Sequence, residues 1–434
     1  MNLIIEMILI LILAQINMQA WSTSMNSEDR KFSNDTTIIS DKEKLPRTII
    51  LDPNVLLKIK VAVTNPSDLN IQEFLQKLLE EADSFLDKKP TSVLDKIESP
   101  PSGNKHDFYS LATYEWPNPD TPDGLPYVSR DGEINPEIYT ISDKKNMGEM
   151  VNMVRILSLA YYFTDDTKYA VKAQELLRVW FLDESTYMNP DLKYAETIRG
   201  KNELRPQGIM EGRILTELTD AIRLLQSSPQ WTSEMQQGLE DWFNNYLDWL
   251  LNSESGKEEG SKMNNHGTYF TVQVSSIALF LNKTDFTKEI LQATMQDLSS
   301  ASLKDVPRLI AVKILSDGRQ PFELRRANSL DYSLINLLGL ATLANIGERV
   351  GLDLWNHDIY GAGIQKALDY LLPYIQNKED WPYTQNHPVK DQIVAEVVCQ
   401  GILHYHNNES YLEVYRSSDP GQIENIYYPI CNMQ

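Results

Sequence analysis

The sequence predicts an all-α protein. Apolar residues recur at three-and-four spacing through ten segments, whereas strand-like alternation of apolar and polar residues is scarce. Met147, Met150, Val151, Val154, Leu157 and Tyr161 mark one such helical face. Similar patterns run near 70–86, 168–182, 209–226, 233–251, 268–281, 286–299, 329–346, 361–376 and 391–406. Turn signals such as Ser228-Pro229 and Gly256 separate several of them. No short-period repeat links the segments, which points to a globule and not a solenoid. Helical hairpins can close into an (α/α) toroid with loops gathered over one end, but periodicity alone reaches only the all-α class.

Taken in chain order, residues 1–20 form a short apolar run ending in small residues, as a signal peptide does. Glu6 interrupts the run, no Lys or Arg precedes it, and Ala20 or Ser24 is the expected cleavage point. Residues 21–46, rich in Ser, Asn, Asp and Lys, read as a flexible linker. One domain is expected from 47 to 434, with Thr48–Leu51 as the best short strand candidate. Sequons at Asn34, Asn282 and Asn408 fit a secreted, extracellular glycoprotein, or a periplasmic location in a bacterium. The helical pattern breaks between 99 and 140, where prolines cluster with Phe108, Tyr109, Tyr114, Trp116, Tyr127 and Tyr139. So many aromatics argue for an ordered segment lying over a cleft.

Composition narrows the function. The 434 residues, 42% hydrophobic and 23% charged, suffice for a large core. A formal charge of −21 lacks the basic footprint that nucleic acid requires. No segment after the first is long and apolar enough to span a bilayer, so no membrane partner is expected once the signal is removed. Cys399 and Cys431 allow at most one bridge, and the sequence leaves their pairing open.

Two strings carry candidate chemistry. Asn264-Asn265-His266-Gly267 stands at a helix entrance, where two amides and an imidazole offer groups to a carboxylate. A plain helix cap with a packed histidine is the alternative. Downstream, residues 301–328 carry Lys304, Arg308, Lys313, Arg319, Arg325 and Arg326 against Asp305, Asp317 and Glu323, a local reversal of sign in an acidic chain. Tyr332 follows, and nearby cations would stabilise its phenolate and let it exchange a proton. An ordinary helix start with solvated arginines is the competing reading. His404-Tyr-His406 lacks a matching ligand pair, and no phosphate loop, nucleophile elbow or zinc motif occurs. Paired carboxylates for glycoside hydrolysis cannot be located from sequence.

At these residues the chain resembles the alginate lyase superfamily of polysaccharide lyases. Four strings in order carry the likeness: Phe108 to Pro136 with its aromatics and prolines; Met188 to Ala195 with Gly208-Ile-Met-Glu-Gly-Arg213; Asn-Asn-His-Gly-Thr; and Asp-Gly-x-x-Pro-x-Glu-Leu-x-Arg followed by Ser-Leu-x-Tyr-Ser. The resemblance implies an incomplete (α/α) toroid with a deep cleft, and β-elimination on a polyuronate, either alginate or glucuronan. It implies Tyr332 as the acid at O4, and as the base when both atoms lie on one face. His266 is then the base for the other face. Asn265 with Arg326, or its neighbour Arg325, would neutralise the uronate carboxylate, and Asn264, Trp116, Tyr114 and Arg213 would line the cleft. No cofactor or metal is implied, and a monomer acting on an acidic polysaccharide is expected. Two alternative readings are a non-catalytic binder of acidic glycans and a hydrolase on the same toroid. Glu196 departs from the glutamine of many relatives, and Glu203-Leu-Arg-Pro-Gln from their Gly-rich run. Because an acidic protein repels an acidic polymer at long range, moderate salt should raise activity. A monotonic loss of rate with added salt would contradict this.

Overall fold

The second of two consecutive aspartates starts a new helix just where the first long one ends. Helix α3 (Asp143–Thr164) stops at Asp165 in the left-handed region, and Asp166 caps α4 (Thr167–Phe181) through the Lys168 N–H at 3.1 Å. The two helices pack together as a hairpin. Earlier in the chain, Asp52 and Asp68 cap α1 (Pro53–Ala62) and α2 (Leu69–Leu86), and Pro53 occupies the first turn of α1. The computed structural model describes residues 45–201, 203–295, 313–357, 363–376, 378–405, 409–418 and 431. The expected signal peptide, most of the linker, the sequons at Asn34 and Asn408, and Lys304, Arg308 and His406 lie outside the described residues.

The remaining helices are α5 (Thr216–Leu225), α6 (Ser233–Asn252), α7 (Glu254–Gly260), α8 (Asn265–Phe280) and α9 (Thr284–Thr294). They are followed by α10 (Ser329–Arg349), α11 (Ile364–Ile375), α12 (Asp391–His404) and α13 (Glu409–Ser417). Inner helices alternate with outer ones. Residues of α3, α5, α8, α10 and α12 line a central cavity of about 560 Å³, and the intervening helices pack outside them. Burial follows that order. Helix α8 is buried over nearly its whole circumference, whereas α11 buries one stripe, Ile364, Ala367, Leu368, Leu371 and Leu372. This is an incomplete (α/α) toroid. Among the described residues no helix is long and apolar enough to cross a membrane.

The structure corrects three local expectations. Thr48–Leu51 is not a strand; Asp220 of α5 accepts the backbone N–H groups of Ile49, Ile50 (3.0 Å) and Leu51 (2.7 Å), so this segment has no strand partner. The short strands lie elsewhere, with β1 (Tyr109–Leu111) parallel to β4 (Tyr194–Thr197) and β2 (Glu115–Trp116) antiparallel to β3 (Val128–Ser129). Gly256, which signals a turn between helical segments, lies inside α7. Ser253 caps it at the Gly256 N–H (3.0 Å), and its two glycines are buried in the interior. The stretch 209–226 begins as a 3₁₀ helix, Pro206–Leu215, before it becomes α5.

The proline-rich segment is ordered, as its aromatics suggested. A fully buried Lys96–Asp143 pair at 2.7 Å anchors it to the start of α3, and Asp143 also accepts the Tyr109 N–H at 2.9 Å. Cys399 of α12 is disulfide-bonded to Cys431. The buried Asp220 carboxylate accepts all three N–H groups of Ile49, Ile50 and Leu51. Asp220→Ala should therefore lower unfolding free energy by roughly 2–3 kcal/mol. An unchanged urea midpoint would show that residues 48–51 find other partners.

Candidate active site

The first turn of α8 is buried, so its free backbone N–H groups need partners within the protein. Asn264 is the N-cap and accepts the His266 N–H at 3.3 Å. Glu323 accepts both the Asn265 backbone N–H (2.5 Å) and its side-chain amide (2.8 Å). Lys313, buried to 2% exposure, donates to the Asn264 carbonyl (2.9 Å) and to Thr268 Oγ1 (2.7 Å). Thr268 continues to Asn336 of α10 (2.6 Å), and Asn336 to Gln320 (2.7 Å). This chain of bonds ties the entrances of α8 and α10 together. Gly267 is required because a Cβ there would overlap the Lys262 carbonyl oxygen.

His266 is neither merely packed nor isolated. Its Nδ1 lies 2.5 Å from Glu259 Oε1, and Glu259 on α7 is fully buried. A carboxylate at that nitrogen holds the proton on Nδ1 and leaves Nε2 as the basic nitrogen. Glu259 is not legible as a site residue in the sequence, because Gly256 signals a turn where α7 forms. The seven-residue step from Glu259 to His266 was the signal that could have found it. Glu323 was within a recognised string, but only the fold shows what it holds.

At the entrance of α10, the Tyr332 hydroxyl is 3.0 Å from that of Tyr114, which the proline-rich segment brings in from 218 positions away. The Arg326 guanidinium lies 3.9 Å from the centre of the Tyr332 ring. Arg326 is also paired with Asp131 at 3.1 Å. Burial would raise the Asp131 carboxyl, but Arg326 and the Ala327 N–H hold it below its ordinary range. The expected phenolate stabilisation at Tyr332 does not hold. Burial, reinforced by the Tyr114 hydrogen bond, pushes the phenol well up and outweighs Arg326. Tyr332 is therefore a phenol at rest, whose proton only a strongly basic oxygen would take.

The other expected residues are spread more widely. Of the two adjacent arginines, Arg326 faces Tyr332, whereas Arg325 is exposed. Trp116 donates its indole N–H to the Glu133 carbonyl at 2.9 Å, and the Arg130 guanidinium lies 5.2 Å from its ring centre. Arg213 sits apart, in the central cavity 5.9 Å from the Tyr269 ring. That cavity continues along the faces of α8 and α10 carrying Tyr269, Val272, Ile335 and Leu338, beyond the turns that hold His266 and Tyr332. The basic strip is not one surface. Lys313 is interior, where burial lowers its ammonium to about 7 against the pull of Glu323, and Arg319 is occupied by Asp317 at 2.7 Å. His404 stacks on Trp355 at 3.9 Å, a structural role. Among the described residues no group of three His, Cys, Asp or Glu is placed to hold a metal.

Comparison with known proteins accounts for this arrangement. The alginate lyase family model matches residues 92–381, more than half of the chain. A crystal structure of an alginate lyase from Bacteroides ovatus is 32% identical with a TM-score of 0.79, covering 90% of this chain and 100% of that one. Two tetrasaccharide complexes of alginate lyase A1-III, known from a Sphingomonas species, share the fold with TM-scores of 0.51 at 13% and 12% identity. These cover 84% and 83% of this chain and 91% of each relative. No curated protein shows significant sequence similarity to the chain. From its helix entrances to its cleft-side loop, the chain belongs to the alginate lyase family and is a polysaccharide lyase.

Proposed function

We propose that the enzyme cleaves a polyuronate by β-elimination, leaving a 4,5-unsaturated uronate at the new non-reducing end. The observation that carries this reading is the meeting of a buried phenol, an arginine and a carboxylate-backed imidazole at the entrances of two adjacent helices. A uronate C5 proton is weakly acidic while its carboxylate is charged. Arg326 and the second amide proton of Asn265, whose first is held by Glu323, are suited to neutralise that carboxylate and the enediolate that follows. His266 takes the C5 proton through Nε2. Tyr332, kept protonated by burial, gives its proton to the departing O4 as the C4–O4 bond breaks. Because burial keeps Tyr332 protonated, little phenolate is present to take H5, which favours His266 as the base where C5–H and O4 lie on opposite faces. Asn264 acts as a cap for this machinery, and Tyr114, Trp116, Arg213 and exposed Arg325 remain candidates for holding flanking sugars.

The Bacteroides ovatus relative supports alginate as substrate, and the Asn-Asn-His-Gly string keeps glucuronan in play. Secretion is supported by the apolar first 20 residues, the exposed Asn282 sequon and the Cys399–Cys431 bridge.

Ultraviolet absorbance of the conjugated product should rise with mannuronan, guluronan or glucuronan. Tyr332→Phe should lower that rate at least roughly 100-fold. Reducing ends without absorbance would instead indicate hydrolysis. A second variant isolates the base. Glu259→Gln should lower kcat roughly 10–100-fold with little change in KM, because it disturbs a proton acceptor and not a sugar contact. The effect should be larger on guluronan than on its C5 epimer mannuronan, since the epimers present the C5 proton to opposite faces. Equal kcat in variant and parent would remove Glu259 from the mechanism.

A further inference from the structure

Glu196 has an unusual backbone for its type. Among the described non-glycine residues, positive φ occurs only at Asp165, Asn282 and Glu196, and Glu196 alone is neither Asp nor Asn. Its φ of 50° is held by its neighbours: its N–H donates to Ser110 Oγ at 2.8 Å, and Ser110 donates to Glu211 at 2.7 Å. The constraint places the Glu196 carboxyl in a crowded charge cluster. Arg205 lies between Glu115 (3.1 Å) and Glu196 (3.4 Å), and Lys144 of α3 pairs with Glu211 at 2.8 Å. Three carboxylates thus share two cations, an excess of one negative charge if all are ionised.

The cluster lies near one proposed catalytic group, His266, and near Arg213 of the central cavity. His266 on α8 is within electrostatic range of Glu196, and Arg213 within range of Lys144. The groups facing Glu196 are therefore Glu211 in the 3₁₀ helix and Arg205 at its start, Lys144 from α3 and His266 from α8, with Glu115 behind Arg205. Burial, and then the Glu211 charge, raise the Glu196 carboxyl to about 7, against the pull of Arg205, Lys144 and His266.

We propose that Glu196 is a specificity-determining residue of the cleft wall that binds a uronate carboxylate as the neutral acid, donating a hydrogen bond, and repels it once ionised. The inference rests on the polyuronate reading above. It gives a glutamate facing an anionic polymer a positive role, because a neutral carboxyl is a donor and adds no charge. No bond is made or broken; one proton leaves Glu196 for solvent as pH rises. The uronate is ionised throughout, so affinity falls across that transition.

The test is the pH dependence of KM on whichever of mannuronan, guluronan and glucuronan yields unsaturated product. In the parent, KM should rise roughly tenfold from pH 6 to pH 8, the effect of one lost donor replaced by a like charge. In Glu196→Gln the ratio should fall below about twofold, while the pH dependence of kcat that belongs to the base persists. Glu211→Gln removes the like charge and should move the KM rise to lower pH. An unchanged KM ratio in Glu196→Gln, or a rise that stays in place or moves upward in Glu211→Gln, overturns the proposal. Unsaturated product from none of the three polymers would instead defeat the polyuronate reading.

Discussion

Burying the N-terminus of α8 is the constraint on which the site depends. A helix end carries backbone N–H groups without intrahelical acceptors, and burial removes water as their partner. Asn264 and Glu323 supply the missing acceptors, and Lys313 satisfies the Asn264 carbonyl beside them. Because Glu323 and Lys313 belong to the segment before α10, satisfying one helix end also positions the next. His266 and Tyr332 are brought to adjacent helix entrances by this requirement, with the Thr268–Asn336–Gln320 bonds locking the two helices.

The charges around the site are arranged in pairs, and on the polyuronate reading this would let an acidic protein face an acidic polymer. Arg326 is held by Asp131, Arg205 by Glu115 and Glu196, and Lys144 by Glu211. On the proposed reading, a uronate carboxylate at Arg326 would compete with Asp131 for a guanidinium that is already oriented, so less side-chain entropy would be lost on binding. On the same reading, donors without net charge, such as the Asn265 amide and the Tyr332 and Tyr114 hydroxyls, would carry much of the recognition without long-range attraction. Field reversal along residues 301–328, attractive from the sequence, is not the device used by the part that is described; Lys313 is interior and Arg319 is spent on Asp317.

The alternation of inner and outer helices explains what was legible in the chain and what was not. Outer helices such as α4 and α11 bury one stripe, so their periodicity is plain in the sequence. Inner helices such as α8 are buried nearly all round, polar residues included, so their apolar pattern is less plain: α8 begins at Asn265, where the Asn-Asn-His-Gly string marks a helix entrance, three residues before the apolar pattern at 268. Helix α7 was missed because its glycines, which signal a turn locally, serve close packing here. Thr48–Leu51 reads as a strand because β-branched Thr48, Ile49 and Ile50 favour extended backbone. The Asp220 carboxylate, far along the chain, decides its conformation.

By itself the sequence determined the all-α class, the family resemblance, and the residue types gathered at Asn264–Gly267 and Arg325–Tyr332. These are local properties: periodicity, capping residues and short strings survive without a partner segment. Only the tertiary structure decided that Arg326 and not Arg325 meets Tyr332, that Glu259 backs His266, and that Tyr332 is held as a phenol. Each depends on burial and on contacts between distant segments. The balance between desolvation and nearby charge is set by the surroundings of a group, and those surroundings do not exist until the chain has folded.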